Sequence, residues 1–195
     1  MKVLRNILAL IGLAAIVVVI WAAIKFQPYY SAFSAFDDKA LATYQDMAEK
    51  LLASGNAAEA TIWKQRVKDG MSVEDVEDVM KAVASELNIR DVGQLPLSKQ
   101  VELMTGQKQR FLKIYMYCNP LTAAKMVDYS DAFSAYLPCR LSLVEDKEGK
   151  YWIYALNMDM MIHGGTPLPA DLKEEAVRVK TVIQSIMDRA ASGEF

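Results

Sequence analysis

The side chains able to do redox or soft-metal chemistry are few in this chain and fall into two groups. There are two cysteines, Cys118 in Cys118-Asn119-Pro120 and Cys139 in Leu137-Pro138-Cys139-Arg140. The single histidine, His163, follows closely on Met158, Met160 and Met161. Thiolate, thioether and imidazole are soft or borderline ligands that suit copper, or an axial position on haem. Cys118, Cys139, Met158, Met160 and His163 are therefore the candidate redox or ligand site. Cys118 directly precedes a helix start, because Asn119 can cap orphan amides and Pro120 is preorganised for the first helical position. The partial positive charge of that helix end favours a thiolate and makes Cys118 the more reactive candidate. A plainer reading stands beside this one. Two cysteines can be small buried hydrophobes or one structural disulfide, a methionine cluster can be core or partner-facing surface, and a lone histidine can simply be hydrogen-bonded.

Other chemistries find little to work with. No Cys-x-x-Cys-His haem attachment sequence, no histidine pair at zinc spacing, no Gly-x-Ser-x-Gly and no phosphate-cradling glycine loop occur. The carboxylates Glu145, Asp146 and Asp159 lie near turns, where solvated hairpin charges explain them. No catalytic residue is assigned. Setting aside Lys2 and Arg5 leaves 20 of the 22 basic residues against 24 acidic ones, a formal charge of −4, and no basic patch suggests nucleic acid.

Alternation and helical spacing supply the elements that must position these residues. In Phe111 to Cys118, Leu112, Ile114, Met116 and Cys118 share one face of a strand, and Phe111, Lys113, Tyr115 and Tyr117 the other. A helix from Asn119-Pro120 to about Val127 and a short connection ending at Pro138 lead to a second strand, with Cys139, Leu141 and Leu143 on one face. Asp146-Lys147-Glu148-Gly149 is a turn into a third strand, Lys150 to Asn157. Pairing Glu145 with Lys150 sets Leu143 against Trp152, Leu141 against Tyr154 and Cys139 opposite Leu156, which brings Met158 to His163 to the edge where Cys139 begins its strand. Ser72 caps an amphipathic helix through Leu87, a short extended piece spans Ile89 to Val92, and Ser98 can cap a brief helix ending at Gly106. After Gly164-Gly165, a flexible turn, a final helix carries the stripe Ala176, Val179, Ile183, Ile186 and Ala190.

Cys118-Asn119-Pro120 and Leu137-Pro138-Cys139, with the helix between them and the hairpin after them, resemble the core of a family known only as domain of unknown function 302. The resemblance covers about Ser72 to Met158, with the last helix. It implies a small α+β domain with an antiparallel sheet, often a homodimer, and no reaction. In such a fold the strands that carry Cys118 and Cys139 run side by side, so that the two thiols meet.

The front of the chain is different in kind. Ile7 to Ile24 carries no charge and spans about 27 Å as a helix, close to a bilayer core of about 30 Å. The competing reading is a cleaved signal peptide, for which Ala32-Phe33-Ser34 could serve as the small-residue site but poorly, since it lies far beyond the apolar stretch; an uncleaved anchor is the favoured reading. Lys2 and Arg5 precede the helix and only Lys25 follows, which predicts a cytoplasmic amino terminus and an extracytoplasmic, periplasmic domain. Tyr29, Tyr30, Phe33 and Phe36 suit an interfacial aromatic belt. Two helices, Asp37 to Ser54 with Leu41, Tyr44, Met47, Leu51 and Leu52 on its stripe, and Ala57 to Lys68, read as a spacer. The expected organisation is an anchor over 1–27, an interfacial segment and helical spacer over 28–70, and an extracytoplasmic α+β domain over 71–195. The expected function is a membrane-anchored accessory or interaction domain beside a redox or transport system, bound to the lipid bilayer, with a membrane protein or a homo-oligomer as partner. The alternative is a copper, haem or thiol-redox protein.

Overall fold

The strand pattern builds a five-stranded antiparallel sheet, seen in a computed structural model that describes residues 2–195. In spatial order the strands are β1 (Ile62–Arg66), β5 (Tyr151–Leu156), β4 (Cys139–Glu145), β3 (Leu112–Cys118) and β2 (Arg90–Leu95). Tyr115 faces Leu141, Leu141 faces Ala155 and Leu143 faces Ile153, and all of them are buried on one side of the sheet. Each such aliphatic side chain contributes roughly 1.5–3 kcal/mol when removed from water.

Two helices cover this face. Val76, Val79, Met80 and Val83 of α4 (Val73–Glu86) and Ile183, Ile186, Met187 and Ala190 of α8 (Ala170–Ser192) complete the core. Ser72 starts α4 with a reciprocal cap. Its hydroxyl accepts from the Asp75 amide at 3.1 Å, while the Asp75 carboxylate accepts from the Ser72 amide at 2.9 Å. The core also takes in a polar tip. The Tyr115 hydroxyl donates to Glu77 Oε1 at 2.6 Å, where Lys113 Nζ donates as well. A charged acceptor thus satisfies the phenol that burial would otherwise strand.

Several details depart from the sequence reading. The hairpin register is shifted by one residue, with Glu145 opposite Tyr151, Val144 opposite Trp152 and Leu143 opposite Ile153. The cause is the turn. The Asp146 carboxylate accepts from the amides of Glu148 and Lys150 and from Trp152 Nε1, and Gly149 takes a positive φ of 75°. Residues 146–150 therefore form the loop, and a one-residue shift turns Trp152 to the outer face and Ile153 to the core. On β3, the Leu112, Ile114 and Met116 face is the outer one, and the core takes Tyr115 and Tyr117.

The segment after the apolar helix also differs. Helix α2 (Ala40–Ser54) forms, but the expected second helix is only α3 (Ala57–Ala60), after which the chain enters the sheet as β1 beside β5. Residues 62–66 have no clean alternation because β1 is an edge strand, open to solvent along much of its length. Leu41, Leu51 and Leu52 of α2 stay exposed. Helix α5 (Leu97–Thr105) starts from Pro96 rather than from a Ser98 cap.

Leu143→Ala should cost about 2–5 kcal/mol, whereas Leu52→Ala, at a side chain 85 % exposed, should stay within about 0.5 kcal/mol of the parent. Denaturant unfolding of the detergent-solubilised protein measures both, and equal losses would contradict this division between core and surface.

Candidate functional site

Cys139 opens β4 on the core side of the sheet, opposite Tyr117. Cys118 closes β3 opposite Arg90, on the alternate position of its strand. The chain then turns, because Asn119 Oδ1 accepts from the amides of Leu121 and Thr122 at 3.1 and 3.3 Å and starts α6 (Pro120–Tyr129). Both cysteines border one apolar cavity of about 30 Å³, together with Met126, Met158, Met161 and Val179. Cys139, Met158 and Met161 also wall an adjoining cavity of about 20 Å³, which Arg140 borders. Cavities of this size admit an ion or a water, and a haem macrocycle does not fit.

The five candidate residues fall in three places. Cys118, Cys139 and Met158 come together, and Met161 joins them. Met160, on the same short helix α7 (Asp159–His163), is 42 % exposed and borders neither cavity. His163 is buried elsewhere, against Asp37.

Both cysteines are free thiols, so no disulfide joins them. Among the described residues no group of three or more His, Cys, Asp and Glu side chains could hold a metal. Desolvation pushes the Cys118 thiol above its ordinary pKa, against the lowering expected from the helix start. Burial acts more strongly on Cys139, and with the neighbouring Cys118 charge it raises that thiol to about 11, although Arg140 pulls the other way.

The Asp37 carboxylate is the centre of the second cluster. Its Oδ1 lies 3.1 Å from His163 Nδ1 and accepts the Lys39 amide at 3.1 Å, while Oδ2 accepts from Lys173 Nζ. Burial alone would raise this acid's pKa, but the Lys173 hydrogen bond, the Lys39 amide and the Lys173 charge outweigh it and hold the carboxyl well below the usual range. An ionised carboxylate only accepts, so Nδ1 of His163 carries the proton. His163 also borders a cavity of about 240 Å³ with Thr43, Asn157, Asp159 and Lys180.

Backbone contacts reinforce this junction. The Asp37 amide donates to the Gly165 carbonyl at 2.8 Å, and the Tyr44 hydroxyl donates to the Gly164 carbonyl at 2.6 Å. A Cβ on Gly164 would lie 2.3 Å from the Met160 carbonyl oxygen, so only glycine fits there. The Gly164-Gly165 turn thus accepts contacts from both Asp37 and Tyr44. Sequence reasoning counted Asp37 and Lys173 only as charges, since a buried ion pair between distant residues leaves no periodic mark.

The family model described as "Domain of unknown function DUF302" matches residues 63–190, from β1 to near the end of α8. The chain belongs to the DUF302 family. A solved structure, the crystal structure of an uncharacterized conserved DUF302 protein from Bacillus stearothermophilus, has a TM-score of 0.55 and 17 % identity to this chain. The similarity covers 67 % of this chain and 98 % of that one. At this identity it shows the fold alone. A search among curated proteins finds no match. Asp37 and Tyr44 lie outside the DUF302 match, while Lys173, His163 and Gly164 lie within it.

Two outcomes follow from the site's electrostatics. Iodoacetamide labelling read by mass spectrometry should be slow for both thiols at neutral pH and slower for Cys139, with rates rising only above the ordinary thiol pKa of about 8.5. A Cys118 thiolate reacting fully at pH 7 would contradict this. Because the folded pKa of Asp37 is depressed, its stabilising contribution is complete above the unfolded value of about 3.9 and is lost as pH falls through the lower folded value. Asp37→Asn should cost about 2–3 kcal/mol at pH 7, discounted for the partial exposure of Lys173, and should flatten the acid limb of the unfolding curve.

Proposed function

We propose that this DUF302 protein is a single-pass membrane protein whose sheet domain works outside the cytoplasm as a non-catalytic accessory or interaction module. One observation carries the reading. Helix α1 (Lys2–Ser34) reaches a mean hydropathy of 3.0 over an 18-residue window and has no buried residue, while the domain core is complete without it. So much apolar surface is favourable in lipid and costly in water.

The flanking charges support the orientation. Lys2 and Arg5 stay on the cytoplasmic side, and Tyr29, Tyr30 and Phe33 mark the opposite interface. The aromatic collar and the docked Asp37 keep the domain close to the bilayer, not at the end of a free spacer. A membrane redox or transport protein is the partner class that this position suits, and contact with it would be lateral, beside the anchor. The two thiols and His163 are not arranged as one catalytic set, which supports an accessory role over turnover.

Protease added to intact spheroplasts that express the full chain should degrade the domain and leave a short protected fragment containing α1. Protection of the domain until the membrane is permeabilised would reverse the orientation. Complete release of the domain into the medium would replace the anchor with a cleaved leader. Turnover of a thiol, persulfide or quinone by the purified protein alone would overturn the accessory role.

A further inference from the structure

We propose that Cys118, Cys139, Met158 and Met161 form a binding site for monovalent copper. Five chain segments converge on the cavity: the end of β3, α6, the start of β4, the stretch from β5 into α7, and α8. From them come two thiols and three thioethers, counting Met126. Asn119 and Thr122 also border the cavity, but Asn119 Oδ1 accepts from the Leu121 and Thr122 amides and the Thr122 hydroxyl donates to Glu175, which leaves sulfur as the free donor set. Hard ions such as magnesium and calcium need oxygen ligands, and zinc takes thioether poorly, whereas thiolate with thioether selects Cu(I).

The size and polarity of the cavity agree with this choice. About 30 Å³ accommodates a dehydrated ion held by the walls but not a hydrated one. Its other walls, such as Ala123, Leu137 and Val179, offer an incoming water little to bond. A Cu(I) ion bound to one thiolate is electrically neutral, so the complex avoids most of the cost of placing charge in an apolar site. A second thiolate would leave one negative charge, and Arg140 beside Cys139 in the adjoining cavity is the cation placed to balance it. Binding exchanges protons for metal: each cysteine that ligates releases one proton and forms one copper–sulfur bond, with no change in oxidation state.

Met158 and Met161 bracket Met160 on one short helical turn, which explains why only two of the three reach the cavity. Met160 is therefore an internal control, a thioether three residues from His163 that the site does not use.

The full chain in detergent micelles, reduced and kept under argon, is titrated with Cu(I) against bicinchoninate. The expected result is one equivalent withdrawn from the chelator, with an X-ray absorption spectrum showing sulfur neighbours only. Zn(II) should not compete. Cys139→Ser should weaken binding by at least about 100-fold, since loss of an outer-sphere partner alone costs roughly 10- to 100-fold. Met161→Leu should weaken it less, and Met160→Leu should leave it unchanged. The spectrum of the parent protein needs no variant, so a misfolded substitution cannot mask the answer. Failure of the parent to withdraw Cu(I), nitrogen or oxygen neighbours in its spectrum, or undiminished binding by a folded Cys118→Ser/Cys139→Ser double variant would overturn the assignment.

Discussion

Burying the Asp37 carboxylate removes its hydration, a cost of several kcal/mol that must be offset by partners held in fixed places. Lys173 from α8, His163 from α7 and the Lys39 amide supply them. Because the partners come from separate elements, the charge cannot be satisfied unless the start of α2, the end of α7 and the first turns of α8 are all in position. This one requirement joins the segment after the apolar helix to the DUF302 sheet domain. It also fixes the orientation of the His163 ring and the Gly164-Gly165 turn.

The sulfur cavity obeys a different rule. It is held by shape, with Cys139 at the start of a core strand and Met158 and Met161 brought in as the chain leaves β5. No ion pair directs it, and its thiols remain protonated because the surroundings disfavour charge. Two chemically distinct pockets thus lie on either side of α7, one polar and one soft, and the alternate faces of that single turn send His163 to the first and Met161 to the second.

Much of the domain was legible in sequence because its signals are local. The alternation of residues 112–118, the Ser72 cap, the Asn119-Pro120 helix start and the stripe on α8 all appear where spacing places them. What escaped reading depends on context. The hairpin register follows from how the Asp146 side chain ties its loop, and a five-residue loop is indistinguishable from a four-residue one by composition. Residues 62–66 lack alternation because an edge strand buries little, so a helix-prone stretch was settled by pairing with β5. At the site, Met158 could be brought to Cys139 from the hairpin and Cys118 to Cys139 from the family resemblance, but Met160 and Met161 differ only in which side of a short turn they occupy. His163 was drawn away by an acid 126 residues earlier in the chain.

The position of β1 at the sheet margin has a mechanical meaning. Under the proposed anchoring, lateral tension on α1 would travel along the backbone toward the domain. The first resistance it meets is the Asp37 cluster and the two carbonyl contacts at Gly164 and Gly165, followed by α2 and only then by the edge strand beside β5. Short polar contacts yield over small extensions, while the apolar core behind β4 and β5 lies outside the line of pull. Under that anchoring the junction would yield before the sheet lost its register.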